Sequence, residues 1–210
     1  MTKKDAKNIV QILKKTYPDA TCSLDFTTPF EMCIAVMLSA QCTDERVNKV
    51  TPTLFKRCKT IKDYADIDIY ELENIIHPCG FYKNKAKNIK LCAKEVLEKF
   101  NGIVPSNIQD LMTLPGIGRK SANVIMLEVY GIANGIAVDT HAKRISNLMG
   151  LSLESDPTKI EKDLLKIFSK DDLKYINHLL VWHGRNTCIA RHPKCSICTI
   201  KDFCKYYKSI

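Results

Sequence analysis

Hydrophobic residues recur every three or four positions along almost the whole chain, and no segment alternates apolar and polar residues as a strand does. The N-terminal segment is typical, because its apolar residues share one helical face: Ala6, Ile9, Val10 and Leu13. This spacing is that of an α-helix, whereas strands have a period of two. The pattern therefore predicts an all-α protein that begins with an amphipathic helix.

The segment TTPFEMCIAVMLSAQCTD is predicted to form a helix deep in a core. Thr28 suits the N-cap, Pro29 the first helical position, and Glu31 lies three residues after the cap, as in a capping box. The residues that follow are apolar on nearly every face, which is typical of a buried helix. Further helices are predicted in DERVNKVTPTLFKRC, YELENIIHPCG, NKAKNIKLCAKEVLEKFNG, SNIQDLMTL, KSANVIMLEVYG, IAVDTHAKRISNLMG, DPTKIEKDLLKIF and DDLKYINHLLVWHGRNTC.

The seven residues LPGIGRK, Leu114 to Lys120, interrupt this pattern. A glycine costs about 1 kcal/mol in a helix interior, so Gly116 and Gly118 mark a turn between two helices. Glycines can adopt positive φ, and without side chains they let the amides of the turn approach another surface. The second helix is predicted to begin near Arg119, where the N–H groups and the positive dipole end suit an anion. An ordinary helix–helix turn and a phosphate-binding turn both fit this motif.

The charge of the chain bears on that choice. It has 32 lysines and arginines against 23 aspartates and glutamates, a formal net charge of +9 and a pI near 9.0. This balance favours a polyanionic partner, either nucleic acid or an anionic membrane surface. A basic protein whose lysines only solvate it is an equal alternative on charge alone. Together with the two glycines, the charge moves the interpretation of LPGIGRK toward phosphate.

No segment predicts export or membrane insertion. The N-terminal stretch MTKKDAKNIVQILKKTYP has charges throughout and lacks the apolar core of a signal peptide. The longest apolar stretch, residues 33–40, is far shorter than the ~20 residues that span a bilayer. We therefore expect an intracellular, soluble protein.

Ten cysteines would indicate disulfides in a small secreted protein, but the expected compartment favours thiols or metal ligands. Six without motif spacing are expected to be mostly buried thiols: Cys22, Cys33, Cys42, Cys58, Cys79 and Cys92. The other four have the spacing C-x6-C-x2-C-x5-C: Cys188, Cys195, Cys198 and Cys204. Four thiolates at short range indicate a metal site, and the spacing alone leaves zinc and an iron–sulfur cluster equally open.

LPGIGRK resembles the helix-hairpin-helix motif of DNA repair glycosylases. Asp139, in VDTH, follows Lys120 by 19 residues, and this pairing is the signature of that superfamily. LSAQCTD and the C-terminal cysteines match as well, so the chain resembles the endonuclease III family from near its N-terminus to its last cysteine. The resemblance implies a bifunctional DNA glycosylase and abasic-site lyase of base excision repair.

The resemblance also implies catalytic roles for Lys120 and Asp139. Lys120 would attack C1′ of the damaged nucleotide, expel the base and form a Schiff base, through which β-elimination cleaves the strand. The attack requires a neutral amine, and a helix N-terminus together with partial burial would disfavour the ammonium. Asp139 would stabilise the cationic sugar and help to activate the amine. On position alone, Lys120 would be a surface lysine on a phosphate and Asp139 an N-cap.

The remaining roles follow from the same resemblance. The four clustered cysteines would hold a [4Fe–4S] cluster that presents a basic loop to phosphates and takes no redox step. A flipped nucleotide leaves a gap in the duplex, which Gln41 would fill and Phe81 would enter as a wedge, where the family usually has an aliphatic residue. The expected DNA-binding residues are Gln41, Phe81, Gly116, Gly118, Arg119, Arg191 and Lys194.

The family fold implies an all-α, two-lobed helix-hairpin-helix DNA glycosylase with a C-terminal iron–sulfur cluster loop. Residues 21–133 would form a six-helix barrel with the hairpin, and residues 1–20 and 134–210 the cluster lobe, with DNA in the cleft between them. The expected partner is double-stranded DNA with damaged bases, chiefly oxidised pyrimidines, or abasic sites. The protein is expected to be a monomer and to act in the cytoplasm, at the nucleoid.

Two alternatives differ from this interpretation in what they require of the site. A monofunctional mismatch glycosylase shares the fold, the aspartate and the cluster, but it usually lacks a lysine at the position of Lys120. A non-enzymatic DNA-binding iron–sulfur sensor would need the basic surface and the cluster but neither Lys120 nor Asp139.

Overall fold

A computed structural model describes every residue from Met1 to Ile210, and all of its regular structure is helical. The α-helices are α1 Lys3–Thr16, α2 Pro29–Ser39, α3 Asp44–Arg57, α4 Ile61–Asp66, α5 Ile69–Ile76, α6 Tyr82–Phe100, α7 Ile108–Leu111, α8 Arg119–Tyr130, α9 Thr140–Met149, α10 Pro157–Ile167 and α11 Lys170–Asn186. Short 3-10 helices span His77–Cys79, Cys195–Ile197, Lys201–Phe203 and Tyr207–Ser209. The all-α prediction is confirmed, and no helix is long and apolar enough to cross a bilayer.

The chain divides into two compact units that differ in their continuity along the sequence. The continuous unit, Ser23–Gly131, contains α2 to α8. The discontinuous unit joins Met1–Cys22 to Ile132–Ile210 and contains α1 and α9 to α11. The N-terminal helix thus belongs with the C-terminal third of the chain.

Helix α2 forms the centre of the continuous unit, where it packs against α3, α6 and α8. Eight of its eleven residues are buried, as predicted. Its start is fixed by the predicted capping box: the Glu31 amide donates to Thr28 Oγ1 at 3.2 Å, and the Thr28 amide donates to the Glu31 carboxylate at 3.0 Å. Burying a Leu, Ile or Met side chain contributes about 1.5–3 kcal/mol, so this helix is a main source of the unit's stability.

In the discontinuous unit, α1 buries the predicted face of Ala6, Ile9, Val10 and Leu13. This face packs against α11, and the core extends to the apolar residues of α9 and α10. The amphipathic pattern of α1 is therefore explained by packing within one unit.

Two helices of the continuous unit differ from the sequence-based expectation. Helix α4 was not predicted; it has only six residues, too few for a visible period, and its signal is a capping box formed by Thr60 and Asp63. Helix α7 is a single turn, shorter than the predicted segment SNIQDLMTL. Pro115 follows closely, and a residue before proline is disfavoured in helical conformation, so the chain turns at Met112 to Leu114.

Candidate active site and cluster centre

The α-helices differ in how their N-terminal amides are satisfied. In nine of them the residue before the helix accepts a hydrogen bond from a first-turn amide: Thr2, Thr28, Thr43, Thr60, Asp68, Asn107, Asp139, Asp156 and Ser169. The exceptions are α6, preceded by Phe81, and α8, preceded by Gly118; neither has a side-chain cap. An uncapped helix start presents amides and a positive dipole end to an anion. Both exceptions directly follow residues predicted to contact DNA.

Gly116 allows the predicted hairpin to turn tightly between α7 and α8. Its φ is +82°, and the amide of Ile117 closes the turn on the carbonyl of Leu114 at 3.1 Å. A Cβ at residue 116 would lie 2.7 Å from Met37 Sδ and 3.1 Å from Asn88 Cβ. Conformation and packing therefore both require glycine at this position.

Gly118 contributes to the hairpin for a different reason. Its φ of −91° and ψ of 178° suit any residue, and a Cβ there would meet nothing within 4 Å. Only Gly116 therefore uses the positive φ that glycine permits. Because Gly118 has no side chain, the start of α8 has no side-chain cap, whereas most of the other helix starts have one.

Helix α8 begins at Arg119, as predicted, and its first backbone hydrogen bond runs from the Ala122 amide to the Gly118 carbonyl at 2.9 Å. Lys120 is thus the second residue of an uncapped helix. Arg119 and Lys120 are both exposed. The expectation that Lys120 is partly buried is therefore wrong.

Gln41 and Phe81 lie in two loops with unusual backbone conformations. Gln41, between α2 and α3, has φ +53°, and Phe81, directly after Gly80 at φ +69°, has φ +48°. Positive φ is uncommon for residues other than glycine and is strained for an aromatic one; such strain clusters at functional sites. Both side chains are exposed, Phe81 by 64%. A large aromatic held in a strained turn and open to solvent has the form that a wedge requires.

Lys85 connects these two loops and was missed in the sequence. Its side chain is buried, and Nζ donates to the Leu38 carbonyl at 2.8 Å, near the end of α2, and to the Cys79 carbonyl at 2.9 Å, just before Gly80. Burial lowers the pKa of Lys85. The available signal was its spacing, because Lys85 lies on the buried face of α6 with Ala86 and Ile89.

In the discontinuous unit, Asp139 is the N-cap of α9, as predicted. Its Oδ1 accepts a hydrogen bond from the Ala142 amide at 2.8 Å, and the side chain is half-buried. Burial lowers the pKa of His141, two residues after Asp139, although the charge of Asp139 opposes that shift. A Cβ on Gly184 would lie 2.6 Å from His141 Nδ1, so His141 packs tightly against α11. The hydrogen bond from the Ala142 amide thus fixes the direction of the Asp139 carboxylate.

Arg144 links α9 to the cysteine loop and was also missed, because it lies in no motif. Its guanidinium donates to the Gly184 carbonyl at 3.0 Å and to the Cys188 carbonyl at 2.6 Å. The helix that Asp139 caps is thus tied directly to the first of the four clustered cysteines.

Four cysteines line one cavity, whose wall also includes His183 and apolar residues of α9: Cys188, Cys195, Cys198 and Cys204. No three His, Cys, Asp or Glu side chains converge on a position for a single ion. A zinc ion would need sulfurs at about 2.3 Å from one centre. Four thiols spread around a larger space fit a polynuclear iron–sulfur cluster instead.

A hydrogen-bonded group at the C-terminal ends of α1 and α11 lies beside this cavity. The Tyr17 hydroxyl hydrogen-bonds with His183 Nδ1 at 3.1 Å and with Thr187 Oγ1 at 2.7 Å, and His183 Nε2 lies 3.7 Å from Cys198 Sγ. Burial raises the pKa of the Cys188 and Cys198 thiols, so iron binding has to supply the energy that holds them as thiolates. The predicted basic residues Arg191 and Lys194 are exposed on the loop between the first two cysteines.

Comparison with known proteins defines the class first. The family model of the HhH-GPD superfamily base excision DNA repair protein matches residues 34–170, and that of the iron–sulfur binding domain of endonuclease III matches residues 188–204. The chain is 47% identical to endonuclease III of Synechocystis sp., over 96% of this chain and 92% of that protein. Solved structures of a non-covalent endonuclease III–DNA complex and of a trapped endonuclease III–DNA covalent intermediate each match with a TM-score of 0.93 and 40% identity, over 100% of this chain and 98% of theirs.

The chain therefore belongs to the endonuclease III family. It is a base excision repair enzyme that binds DNA, has glycosylase and abasic-site lyase activity and carries a [4Fe–4S] cluster. The predictions of family, activity and cofactor are confirmed, and the zinc site, the monofunctional glycosylase and the non-enzymatic sensor are not supported.

Proposed function

We propose that Lys120 is the nucleophile and Asp139 the electrostatic partner in the excision of damaged bases from double-stranded DNA. The observation that carries this proposal is the position of Lys120, exposed as the second residue of the uncapped helix α8 and directly after the hairpin. Nothing in the fold requires a lysine there, since its side chain supports no packing.

The hairpin holds a DNA phosphate in this proposal. Gly116 shapes the turn, Gly118 leaves the helix start open, and the amides there donate to phosphate oxygens while Arg119 adds charge. Contacts of this kind fix the register of the protein on the duplex without reading sequence. They bring the side chain of Lys120 to the sugar of the flipped nucleotide.

Lys120 then acts through its neutral amine. Nζ forms a bond to C1′ as the bond from C1′ to the base breaks, and the base leaves with the electron pair and takes up a proton. Loss of a proton from nitrogen and opening of the sugar ring give a Schiff base. Removal of a proton from C2′ then breaks the bond from C3′ to oxygen, which cleaves the strand. Water later releases the lysine.

Asp139 opposes the positive charge that develops on the sugar. Its carboxylate is already aimed by the cap on the Ala142 amide, so little reorganisation is needed when charge develops. It also helps to activate the amine of Lys120 for attack on C1′. Capping and catalysis are compatible uses of one side chain.

Gln41 and Phe81 stabilise the flipped state in this proposal. Their loops are joined by Lys85 and strained at both positions, so the two side chains are presented before DNA arrives. Gln41 fills the space that the flipped nucleotide leaves, and Phe81 wedges between bases.

In this proposal the discontinuous unit, Met1–Cys22 with Ile132–Ile210, is the cluster lobe, and the continuous unit, Ser23–Gly131, is the barrel with the hairpin. When bound to Cys188, Cys195, Cys198 and Cys204, the [4Fe–4S] cluster crosslinks the C-terminal loop and supplies no redox step. The loop so fixed presents Arg191 and Lys194 to phosphates, which strengthens binding to any duplex.

The substrates are oxidised pyrimidines and abasic sites in duplex DNA at the nucleoid, and the enzyme acts as a monomer. Support comes from family membership and from the exposed basic residues at the start of α8, Arg119, and in the cysteine loop, Arg191 and Lys194.

The test incubates cluster-loaded protein with duplexes that bear thymine glycol, a uracil mismatch or an abasic site, and separates base release from strand cleavage. We expect excision and cleavage at thymine glycol and cleavage at the abasic site. Preferential excision of uracil, without cleavage, would contradict the proposal.

A further inference from the structure

One buried lysine is shared by the two loops that are proposed to enter the duplex. Lys85 lies on α6 and is only 6% exposed, and its Nζ donates to the Leu38 carbonyl at 2.8 Å and to the Cys79 carbonyl at 2.9 Å. Leu38 lies three residues before Gln41. Cys79 lies two residues before Phe81. A single nitrogen thus binds the main chain of both loops just before the side chain that each loop presents.

Both of these carbonyls lie at the C-terminal ends of helical segments. Leu38 is the penultimate residue of α2, whose last turn carries no basic residue, and the last carbonyls of a helix have no donor within it. Cys79 is the last residue of a 3-10 helix, directly before Gly80 at φ +69°. A cation at the carbonyl end of a helix is stabilising. Lys85 therefore caps two elements at once and fixes the point at which each loop begins.

Each loop holds its candidate inserting residue in a left-handed conformation. The φ angle is +53° at Gln41 and +48° at Phe81, and such values cost free energy in residues other than glycine. Strain of this kind persists only where the surrounding structure determines the course of the backbone. The two hydrogen bonds of Lys85 supply such a constraint at the start of both loops.

We propose that Lys85 is a positioning residue for nucleotide flipping, which makes the two loops one unit so that Gln41 and Phe81 enter the duplex together. This role rests on the proposed function of those loops. It deepens that function because it assigns Lys85 to the flipping step alone and leaves phosphate binding to the hairpin and the cysteine loop. Since its side chain is buried, Lys85 acts through the main chain of the loops and not through contact with DNA.

A change at Lys85 should therefore affect lesions according to how they are paired. Extruding a nucleotide costs unpairing and unstacking, and this cost is smallest where the base is already mismatched. Residues that fill the gap stabilise the extruded state, so their misplacement matters most where extrusion is most costly. A misplacement of about 1 Å can reduce a rate by about 100-fold. We expect a large loss of excision at a paired lesion and a small one at a mismatched lesion.

Lys90 provides a matched control on the same helix. Its Nζ also donates to a main-chain carbonyl, that of Ile67 at the end of α4, and its side chain is half-buried. Neither Lys90 nor Ile67 belongs to the two loops. Lys85→Met and Lys90→Met thus remove the same group and the same kind of hydrogen bond, but only Lys85→Met releases the loops.

The first experiment measures single-turnover excision of thymine glycol by the cluster-loaded protein, from a duplex in which the lesion faces adenine and from one in which it faces a mismatched base. Lys85→Met should lose about 30-fold or more on the paired lesion and about threefold or less on the mismatched one. It should bind undamaged duplex as tightly as the wild type, and Lys90→Met should keep the wild-type ratio of the two rates. Equal losses by Lys85→Met on both duplexes, or the same change of ratio in Lys90→Met, would overturn the assignment.

The second experiment leaves Lys85 in place, so it does not depend on whether Lys85→Met folds. Gln41→Ala and Phe81→Ala are measured singly and together on the paired lesion. Because one unit carries both side chains, the double variant should lose less than the product of the two single losses, by at least about threefold. Losses that multiply would show that the loops act independently, which contradicts the role of Lys85 alone. Full excision by both single variants would instead contradict the proposed function of the loops, and the assignment of Lys85 with it.

Discussion

The starts of α8 and α9 differ in whether a side chain caps the helix. Each helix begins with amides that have no partner within the helix. At α9 the carboxylate of Asp139 satisfies one of them at 2.8 Å. At α8 the preceding residue is Gly118, and no side chain caps the helix. The start of α9 therefore has a side-chain cap, whereas the start of α8 has none and, in our proposal, binds a DNA phosphate.

The difference shows how capping separates two functions in this chain. A capped start orients a negative group, and we assign that group to charge stabilisation at the sugar. An uncapped start lacks a contribution of up to about 1 kcal/mol that a side-chain cap would give, and we propose that it binds an anion beside Lys120 instead. Side chains cap nine of the eleven α-helices, so the uncapped starts of α6 and α8 are exceptions within this chain.

The largest expected effect comes from removing the amine at α8. Lys120→Gln should bind an uncleavable abasic-site analogue nearly as well as the wild type, because the amides and Arg119 remain. Excision and strand cleavage should fall by about 10⁴-fold or more, as for loss of a nucleophile. Single-turnover rates on a thymine glycol duplex measure this. Arg119→Gln is the control and should weaken binding while excision persists at saturating protein. Near-normal cleavage by Lys120→Gln would return Lys120 to a phosphate contact.

The next effect separates charge from capping at α9. Asn caps a helix about as well as Asp, so Asp139→Asn should change the free energy of unfolding by less than about 0.5 kcal/mol. Excision should still fall by about 100-fold or more, because the negative charge at the sugar is lost. Thermal unfolding and excision rates, measured on the same preparation, give the two numbers. Full activity in Asp139→Asn would mean that the residue serves only as a cap.

A smaller effect tests the open start of α8 with two glycine variants. Gly118→Asp has room for its side chain and should cap the helix, so stability should be unchanged or rise by a few tenths of a kcal/mol. Its charge should weaken binding to any duplex by about tenfold, since it competes with phosphate. Gly116→Ala should instead cost at least about 1 kcal/mol of stability, given φ +82° and the contact with Met37. Denaturant titrations and binding isotherms distinguish the two, and equal binding by Gly118→Asp would refute the phosphate role.

The smallest effect concerns the basic loop of the cluster. Arg191→Gln and Lys194→Gln should each weaken binding to damaged and undamaged duplexes alike and reduce the slope of log K against log salt by roughly 0.9. Lys99→Gln is a suitable control because Lys99 pairs with Glu95 at 2.9 Å within α6. A slope that is unchanged in both loop variants would make these residues ordinary solvated charges.

Sequence patterns predicted the helices and both helix starts because each has a local cause. The capping box at Thr28, the cap at Asp139 and the glycine turn before Arg119 depend on a few adjacent residues, and a single sequence contains them. Helix α4 escaped because six residues are too short for a period, although Thr60 and Asp63 did mark its start.

The features that were missed depend on contacts between distant residues. Lys85 joins two loops through carbonyls, and Arg144 binds carbonyls 40 and 44 residues away, so neither forms a motif. The exposure of Lys120 likewise depends on how its helix packs, and helical spacing did not reveal it. The roles assigned to Lys120 and Asp139 came from resemblance to a family, since position alone made them a surface lysine and a cap.

The most direct test of the open helix start as a catalytic site is trapping with borohydride. Reaction of the wild type with a thymine glycol duplex in the presence of borohydride should reduce the Schiff base to a stable protein–DNA crosslink, and peptide mapping should locate it at Lys120. Lys120→Gln should give no crosslink, whereas Asp139→Asn should give one only slowly. A crosslink that maps to another lysine, or base excision by the wild type without any crosslink, would contradict the assignment of Lys120 as the nucleophile.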